Sequence, residues 1–311
     1  MISVSIIVPN YNYARYLKER IRSIQRQTFV SFELIVVDDA STDESAKVLD
    51  EIPGDDRLII QAHSENSGGV YNRRNQIIEE AKGDWLWFAE ADDSAHPRFL
   101  ESLLAIADRE TDLGIVHSCI AVIDQAGRLI TDRITFDDEL QCHLAKDYVS
   151  KGYMEAVRLT SGCFLASSSG LLLNRRAVLD VGGYDLRLKM SSDWDLYLRI
   201  LQKYDIGYCA RPLAYYRSHG DSVTKTTDGI VRAMEDAYCV TNAYGALKED
   251  PRVSEQDKTL LAQRLKGRAF DMFVTKSSDM PATHRFVLER LQEVVPDSRA
   301  SAALTALKQA V

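Results

Sequence analysis

The 311-residue chain is 45% hydrophobic and 27% charged, enough apolar content to bury a core as one large domain or as a domain with an appendage. Its net charge of −8 excludes the basic face that nucleic-acid phosphates demand, and no polybasic run marks a membrane patch. The first residues are too briefly apolar for a signal peptide, no run reaches the roughly 18 apolar residues of a membrane span, and five cysteines without a CxxC pair read as reduced thiols; a cytoplasmic location is expected.

Residues 4–8 (VSIIV) are a β-branched run closed by Pro9 and predict a buried strand. Tyr13, Leu17, Ile21 and Ile24 recur at helical spacing through residue 27. Residues 32–37 (FELIVV) predict a second strand, stopped by Asp38 and Asp39. Residues 41–44 then offer capping side chains for a helix to residue 51. A third strand is expected over 57–61, a helix from Gly68-Gly69 to residue 82, and a fourth strand over 85–89 (WLWFA) that ends in Glu90-Ala91-Asp92-Asp93. Pro97 is placed as a first-turn proline of the next helix.

The second half reads less regularly. Residues 113–130 predict a hairpin turning at 125–127, 148–159 a helix, 170–173 a strand, 193–202 a helix and 206–217 an extended segment. From about residue 228 the pattern is helical, interrupted near Pro251, Pro281 and Pro296, with an apolar stripe at Leu260, Leu261, Leu265 and Phe270. That stripe fits packing on the rest of the chain, a homodimer interface or a wall of an acceptor site.

Strands alternating with helices predict an α/β fold with a mostly parallel sheet covered on both faces, whose ligand crevice lies beyond the carboxyl ends of the strands. Three of the four strands end in binding-competent residues: residues 9–12 (PNYN), Asp38-Asp39, and the acidic turn 90–93. Asp92 and Asp93 suit a magnesium or manganese ion that bridges a diphosphate, or equally a solvated turn that caps a helix. Asp38 and Asp39 suit a pyrimidine N–H or ribose hydroxyls, and also capping. Tyr11 can stack on a base or pack at the sheet edge. Gly68 opens a helix N-terminus able to receive an anion, with Arg74 one turn inside. Taken alone, Asp193 reads as a helix N-cap and His219 as a loop histidine. Tyr184, Trp194 and Tyr197 can form a sugar platform or core.

Residues 4–43 (VSIIVPNYN…FELIVVDDASTD), 66–93 (NSGGVYNRRNQIIEEAKGDWLWFAEADD), 170–199 (GLLLNRR…SSDWDLYLR) and 215–222 (YYRSHGDS) carry, in order, motifs that resemble the family 2 glycosyltransferases of GT-A fold. The match runs to about residue 225. It implies a Rossmann-like GT-A domain over 1–225, with a nucleotide-binding half (1–110) and an acceptor-binding half (111–225), followed by a helical region over 226–311. By that resemblance Asp38 and Asp39 recognise the nucleoside in a pocket lined by Pro9, Tyr11 and Asn12. Arg74 contacts the nucleotide, Asp92 and Asp93 hold ribose and a divalent metal (Mn2+ or Mg2+), and His219 closes over metal or diphosphate. Asp193, with Asp195 as the second candidate, is the implied base of an inverting transfer from a nucleotide-sugar, UDP-sugars being the commonest donors. The implied acceptor is a glycan or lipid-linked glycan, which would draw the enzyme to the inner membrane face as a peripheral protein.

Two positions depart from the family pattern. Glu90 stands where the D-x-D motif opens with Asp, and Ser192 where an acid precedes the base. They sustain a second expectation, a catalytically inactive nucleotide- or glycan-binding scaffold of the same fold. A dinucleotide-binding oxidoreductase is disfavoured, because the first strand ends in PNYN and not in G-x-G-x-x-G.

Overall fold

A computed structural model describes residues 3–134, 136, 138–220, 229–274 and 285–294. The chain divides into two compact units. By their described residues, one comprises Met1–Lys151, Phe164–Leu186 and Tyr204–Gly220, and the other Gly152–Cys163, Arg187–Lys203 and Asp221–Val311.

The elements run β1 (Val4–Asn10), α1 (Ala14–Gln25), β2 (Phe32–Asp38), α2 (Ser45–Asp50), β3 (Leu58–Ala62), α3 (Val70–Glu80), β4 (Trp85–Phe88), β5 (Ser94–Ala95) and α4 (Phe99–Ala107). There follow β6 (Leu113–Ile123), β7 (Leu129–Thr131), α5 (Asp138–His143), β8 (Tyr148–Ser150), α6 (Gly152–Leu159), β9 (Leu171–Asn174), α7 (Arg175–Asp180), α8 (Ser192–Leu201) and β10 (Asp205–Arg217).

All ten strands among the described residues belong to the first unit and form one sheet in the order β3-β2-β1-β4-β9-β6-β10-β5, with β7 on β6 and β8 on β10. Strands β3, β2, β1, β4, β6 and β10 run one way, and β9 and β5 run against them. The sheet is therefore mostly parallel, as expected. Every residue of β2 is buried, as a strand covered on both faces requires. On one face Val4, Ile6 and Val8 join Leu17, Ile21 and Ile24 of α1 and Phe99, Leu100 and Leu103 of α4 in a single core. Trp87 stacks on Phe99 in that core, with ring centroids 4.4 Å apart. On the opposite face Ile7, Ile35, Val37 and Phe88 are equally buried, in the strict alternation of a strand.

Gly83 shows why a glycine precedes β4. A Cβ there would sit 2.4 Å from Ser5 N and 2.5 Å from the Val4 carbonyl carbon. Its N–H donates to Ser5 Oγ at 2.9 Å, and Ser5 Oγ donates to the buried Glu33 carboxylate at 2.5 Å. Glu33 also accepts from Lys82 N–H at 2.7 Å, so one carboxylate fixes the entry of β4 beside β1.

Some elements differ from expectation. Residues 148–159 are not one helix: Tyr148–Ser150 pair antiparallel with Ile206–Tyr208 as β8, and the helix starts only at Gly152. Pro97 precedes the N-cap Arg98 and stands outside the first turn, its carbonyl accepting from Thr28 N–H at 2.9 Å. The 113–130 hairpin forms, with Gly127 at φ 81° in its turn.

The second unit contains α6, α8 and the helices Gly229–Leu247, Glu255–Val274 and Arg285–Val294. Leu247, Leu261 and Leu265 are buried where these helices pack on one another, so this part of the apolar stripe is core of its own unit. The boundary expected near 225, Pro281, Pro296 and the Phe270 side chain lie outside the described residues. None of Cys119, Cys163, Cys209 and Cys239 is in a disulfide, and the Cys142 side chain lies outside the described residues.

Candidate active site

The loops leaving β1 and β2 interlock. Each holds one non-glycine residue in the left-handed region, Asn12 at φ 63° and Ala40 at φ 62°. Asn12 N–H donates to Ser41 Oγ at 2.9 Å, and its side-chain carbonyl accepts from Thr42 N–H at 2.7 Å and Asp43 N–H at 3.3 Å. Asp38 Oδ1 accepts from Asn10 Nδ2 and Ser41 Oγ, both at 2.6 Å, while among the described residues Oδ2 accepts only from Ser41 N–H at 3.2 Å. A carboxylate oxygen has two lone-pair sites, so Asp38 Oδ2 retains one for a ligand donor. Pro9 pairs with Val37 inside the sheet, and the neighbouring Tyr11 is 46% exposed in the loop that follows.

Asp39 faces inward. It accepts from Ser67 N–H and Ser67 Oγ (2.7 Å) and from Arg73 Nε (2.6 Å). Burial pushes this carboxyl up, but the bonds from Ser67 and Arg73 outweigh it and hold the group below the ordinary carboxylate range. A protein carboxylate thus already occupies Ser67 N–H, beside the exposed Gly68 and just ahead of α3. Arg73, which the sequence reading passed over, is the partner of Asp39. A signal was present: adjacent residues on a helix point about 100° apart, so Arg73 and Arg74 must serve different neighbours.

Arg74 is buried and ion-pairs with Glu90, its guanidinium lying 5.0 Å from the Phe88 ring and 5.5 Å from the rings of Tyr71 and Tyr184. Glu90 also accepts from Ser168 Oγ at 2.6 Å. The departure from Asp has a physical role here: the carboxylate is committed to Arg74 and Ser168. Arg74 is held in the fold by the same pair.

The acidic turn itself divides. Asp92 Oδ2 lies 2.8 Å from His219 Nε2, whose buried ring is set against Tyr16 (centroids 5.2 Å) and Tyr13 (6.1 Å). Burial raises the Asp92 carboxyl above its ordinary range; the bond to His219 opposes that rise and the Glu90 charge adds to it. Asp93 turns into the protein, accepting from Arg217 N–H at 2.9 Å and Ser167 Oγ at 3.2 Å. Burial, then the adjacent Asp92 charge, push it up to about 7 against the pull of Arg20.

Two arginines that sequence reasoning missed organise this turn. Arg217 donates from Nε to the Asp92 carbonyl at 2.6 Å and from Nη2 to Glu19 at 2.7 Å. It is the arginine of the Y-R-x-H motif, and its place two residues before His219 was the available signal. Arg20 is fully buried, 4.8 Å above the Trp87 ring, with one bond to Ser169 Oγ at 3.3 Å. Burial lowers it to about 10, opposed first by Asp93. Nothing in a lone arginine on an amphipathic helix announces such a position.

Of the three expected metal ligands, Asp92 and His219 lie side by side and Asp93 is committed to the protein. Among the described residues no group of three or more His, Cys, Asp and Glu side chains is arranged to hold a metal. Asp92 and His219 do offer an oxygen and a nitrogen donor together, a set that suits Mn2+ better than the oxygen-preferring Mg2+ when phosphate oxygens complete the shell.

In the second unit Asp193 stands in the first turn of α8, half-buried, its Oδ1 accepting Trp194 N–H at 2.7 Å. Asp195 is 2% exposed and bound by Arg199 Nε at 2.7 Å, which marks it as structural. Trp194, Tyr197 and Tyr184 are all buried as core, so no exposed aromatic platform is made from them. Gly182 and Gly183 form a turn at φ 82° and 70°, where Asn75 bonds both main-chain groups of Tyr184 at 2.9 Å.

Residues 5–181 match the family model described as Glycosyl transferase family 2. EpsH of Bacillus subtilis (strain 168) is 27% identical over 265 residues, spanning 83% of this chain and 73% of EpsH. Among solved structures, Staphylococcus aureus TarS 1–349 in complex with UDP-GlcNAc superimposes with a TM-score of 0.70 at 18% identity, over 97% of this chain and 84% of that one. The mannosyltransferase PcManGT of Pyrobaculum calidifontis, solved with GDP-Man and Mn2+, gives 0.56 at 16% identity, over 98% of this chain and 79% of that one. At these identities the two structures speak for the shared fold.

Proposed function

The chain belongs to glycosyl transferase family 2, and we propose that it transfers a sugar from a nucleoside-diphosphate sugar, UDP-linked first of all, to a hydroxyl of a glycan or lipid-linked glycan. The observation that carries this reading is the convergence at one sheet edge of the ends of β1, β2 and β4, with Asp92 paired to His219 there. An open α/β sheet binds its ligand at such carboxyl ends.

In this reading Tyr11 stacks on the base and Asp38 Oδ2 accepts from the base or ribose. Asn12 and the Asp39–Arg73 pair hold the pocket in shape. Asp92 and His219 would hold a divalent cation, which would neutralise charge developing on the leaving diphosphate. Arg217 and Arg20 keep the acidic turn in place. Asp193 takes the proton of the acceptor hydroxyl as the new bond forms, and attack from the opposite face inverts the anomeric carbon. No described helix is long and apolar enough to cross a membrane. A lipid-linked acceptor would be met by peripheral attachment at the cytoplasmic face.

Calorimetric titration of UDP, GDP and dTDP, with and without Mn2+, tests the site. Manganese-dependent binding of UDP, lost in Asp92→Ala, is the expected result. A folded protein that binds none of the three nucleotides would overturn it.

A further inference from the structure

Helix Gly229–Leu247 lies beyond the residues matched to the family model, yet one face of it is built around the segment that leads into α8. Glu235 is fully buried. Its Oε1 accepts Lys189 N–H at 2.8 Å, and its Oε2 accepts Met190 N–H at 2.7 Å and Ser191 N–H at 2.9 Å. Asp236 accepts from Ser191 Oγ at 2.8 Å, and Cys239 Sγ lies 3.4 Å from the Ser191 carbonyl. Asn242 reaches Asp195 at 3.4 Å and is itself held by Arg290 Nε at 2.7 Å. Arg187 donates to the Tyr238 hydroxyl. Glu235, Tyr238, Cys239 and Asn242 follow the i, i+3, i+4, i+7 spacing of a single helical face, and all four contact residues 187–195.

Three consecutive N–H groups converging on one buried carboxylate is an anion nest read in reverse: the protein supplies its own anion. Burying a carboxylate without partners costs several kcal/mol, so Glu235 persists there only because these donors satisfy it. The same bonds fix the backbone of 189–191, and Ser191 is the N-cap of α8. Two residues on stands Asp193.

We propose that Glu235 is a positioning residue for Asp193, supplied by the C-terminal helices; this rests on the assignment of Asp193 as the general base. Ser192 stands where the family pattern has an acid beside the base, and the carboxylate that anchors this turn comes instead from Glu235, 43 positions further along the chain. The C-terminal helical region is then part of the catalytic apparatus.

The test compares wild type, Glu235→Ala, Glu235→Gln and Asp193→Asn. Release of nucleoside diphosphate is measured with UDP-GlcNAc, UDP-glucose and GDP-mannose, UDP affinity by calorimetry, and backbone amide exchange across residues 187–201. In Glu235→Ala the amides of 189–191 should exchange faster. Its kcat should fall about 100-fold, the scale of an ångström of misplacement, with donor KM and UDP affinity within about twofold of wild type. Glu235→Gln, which keeps one acceptor oxygen, should retain more kcat than the alanine variant; it also serves if Glu235→Ala does not fold. Unchanged exchange in both variants overturns the anchor, whether or not any of the three donors is hydrolysed. Wild-type kcat in Glu235→Ala beside an inactive Asp193→Asn overturns the positioning role alone. An active Asp193→Asn overturns the base assignment instead.

Discussion

His219 Nε2 lies 2.8 Å from Asp92 Oδ2, 127 positions apart in sequence and joined through a two-residue strand. Ser94 and Ala95 pair with Tyr215 and Ala214, which brings the end of β10 against the acidic turn, and Arg217 then clamps the turn from the same strand. His219→Gln keeps a polar side chain near Asp92 and removes the basic ring nitrogen. Manganese-dependent UDP affinity, measured by calorimetry, should weaken by about 10-fold or more, the scale seen when metal-site partners are lost. Wild-type affinity would remove His219 from the cation site.

Gly83 has no room for a methyl group, since the obstructing atoms are backbone of β1 and cannot rotate away. Gly83→Ala should cost more than the roughly 1–3 kcal/mol typical of overpacking. Thermal unfolding followed by circular dichroism should show a drop of many degrees, or the variant should fail to fold. A melting temperature equal to wild type would mean β4 can slide.

Ala40 at φ 62° carries strain that an L-residue pays and glycine does not. Ala40→Gly should leave stability unchanged or raise it by up to about 1 kcal/mol, after the entropy that glycine adds to the unfolded chain. Denaturant titration checks this, and destabilisation by more than about 1 kcal/mol would show the left-handed geometry is not what limits this loop.

His117 is buried in β6, 4.5 Å from the Tyr208 ring, and burial followed by the His143 charge lowers it to about 3. Its folded value is depressed, so below pH 6.5 the unfolded chain takes up a proton that the folded state refuses. The stability it contributes is full above about pH 6.5 and is lost progressively as pH falls towards 3. His117→Phe should flatten the decline in unfolding free energy between pH 7 and pH 5. An unaltered slope would assign that pH dependence to other groups.

Much of the first hundred residues was legible because strands β1 to β4 are short apolar runs and the acidic and amide groups come at or just after their ends. Asp38, Asp39, Asp92 and Asn12 are all found at strand ends for that reason. Harder to read were groups whose partners lie far away. Asp93 beside Asp92 looks like a second ligand, and only Arg217 N–H and Ser167 Oγ turn it inward. Arg74 looks available to a phosphate, but Glu90 and three aromatic rings commit it to the interior. Trp194 and Tyr197 have the spacing of either a platform or a core, and burial chose the core.

Local sequence determined the βα alternation, the acidic strand ends and the hairpin at Gly127, because these depend on hydrophobic period and turn chemistry within a few residues. The reversed β9, the two-residue β5 and the grouping of α6 and α8 with the C-terminal helices depend on pairings between distant segments. So do the partners of each charge. A buried carboxylate or guanidinium is stable only where a distant donor or acceptor satisfies it. That information does not lie in a residue's immediate neighbours, which is why Arg20 and Glu235 emerged only from the folded chain.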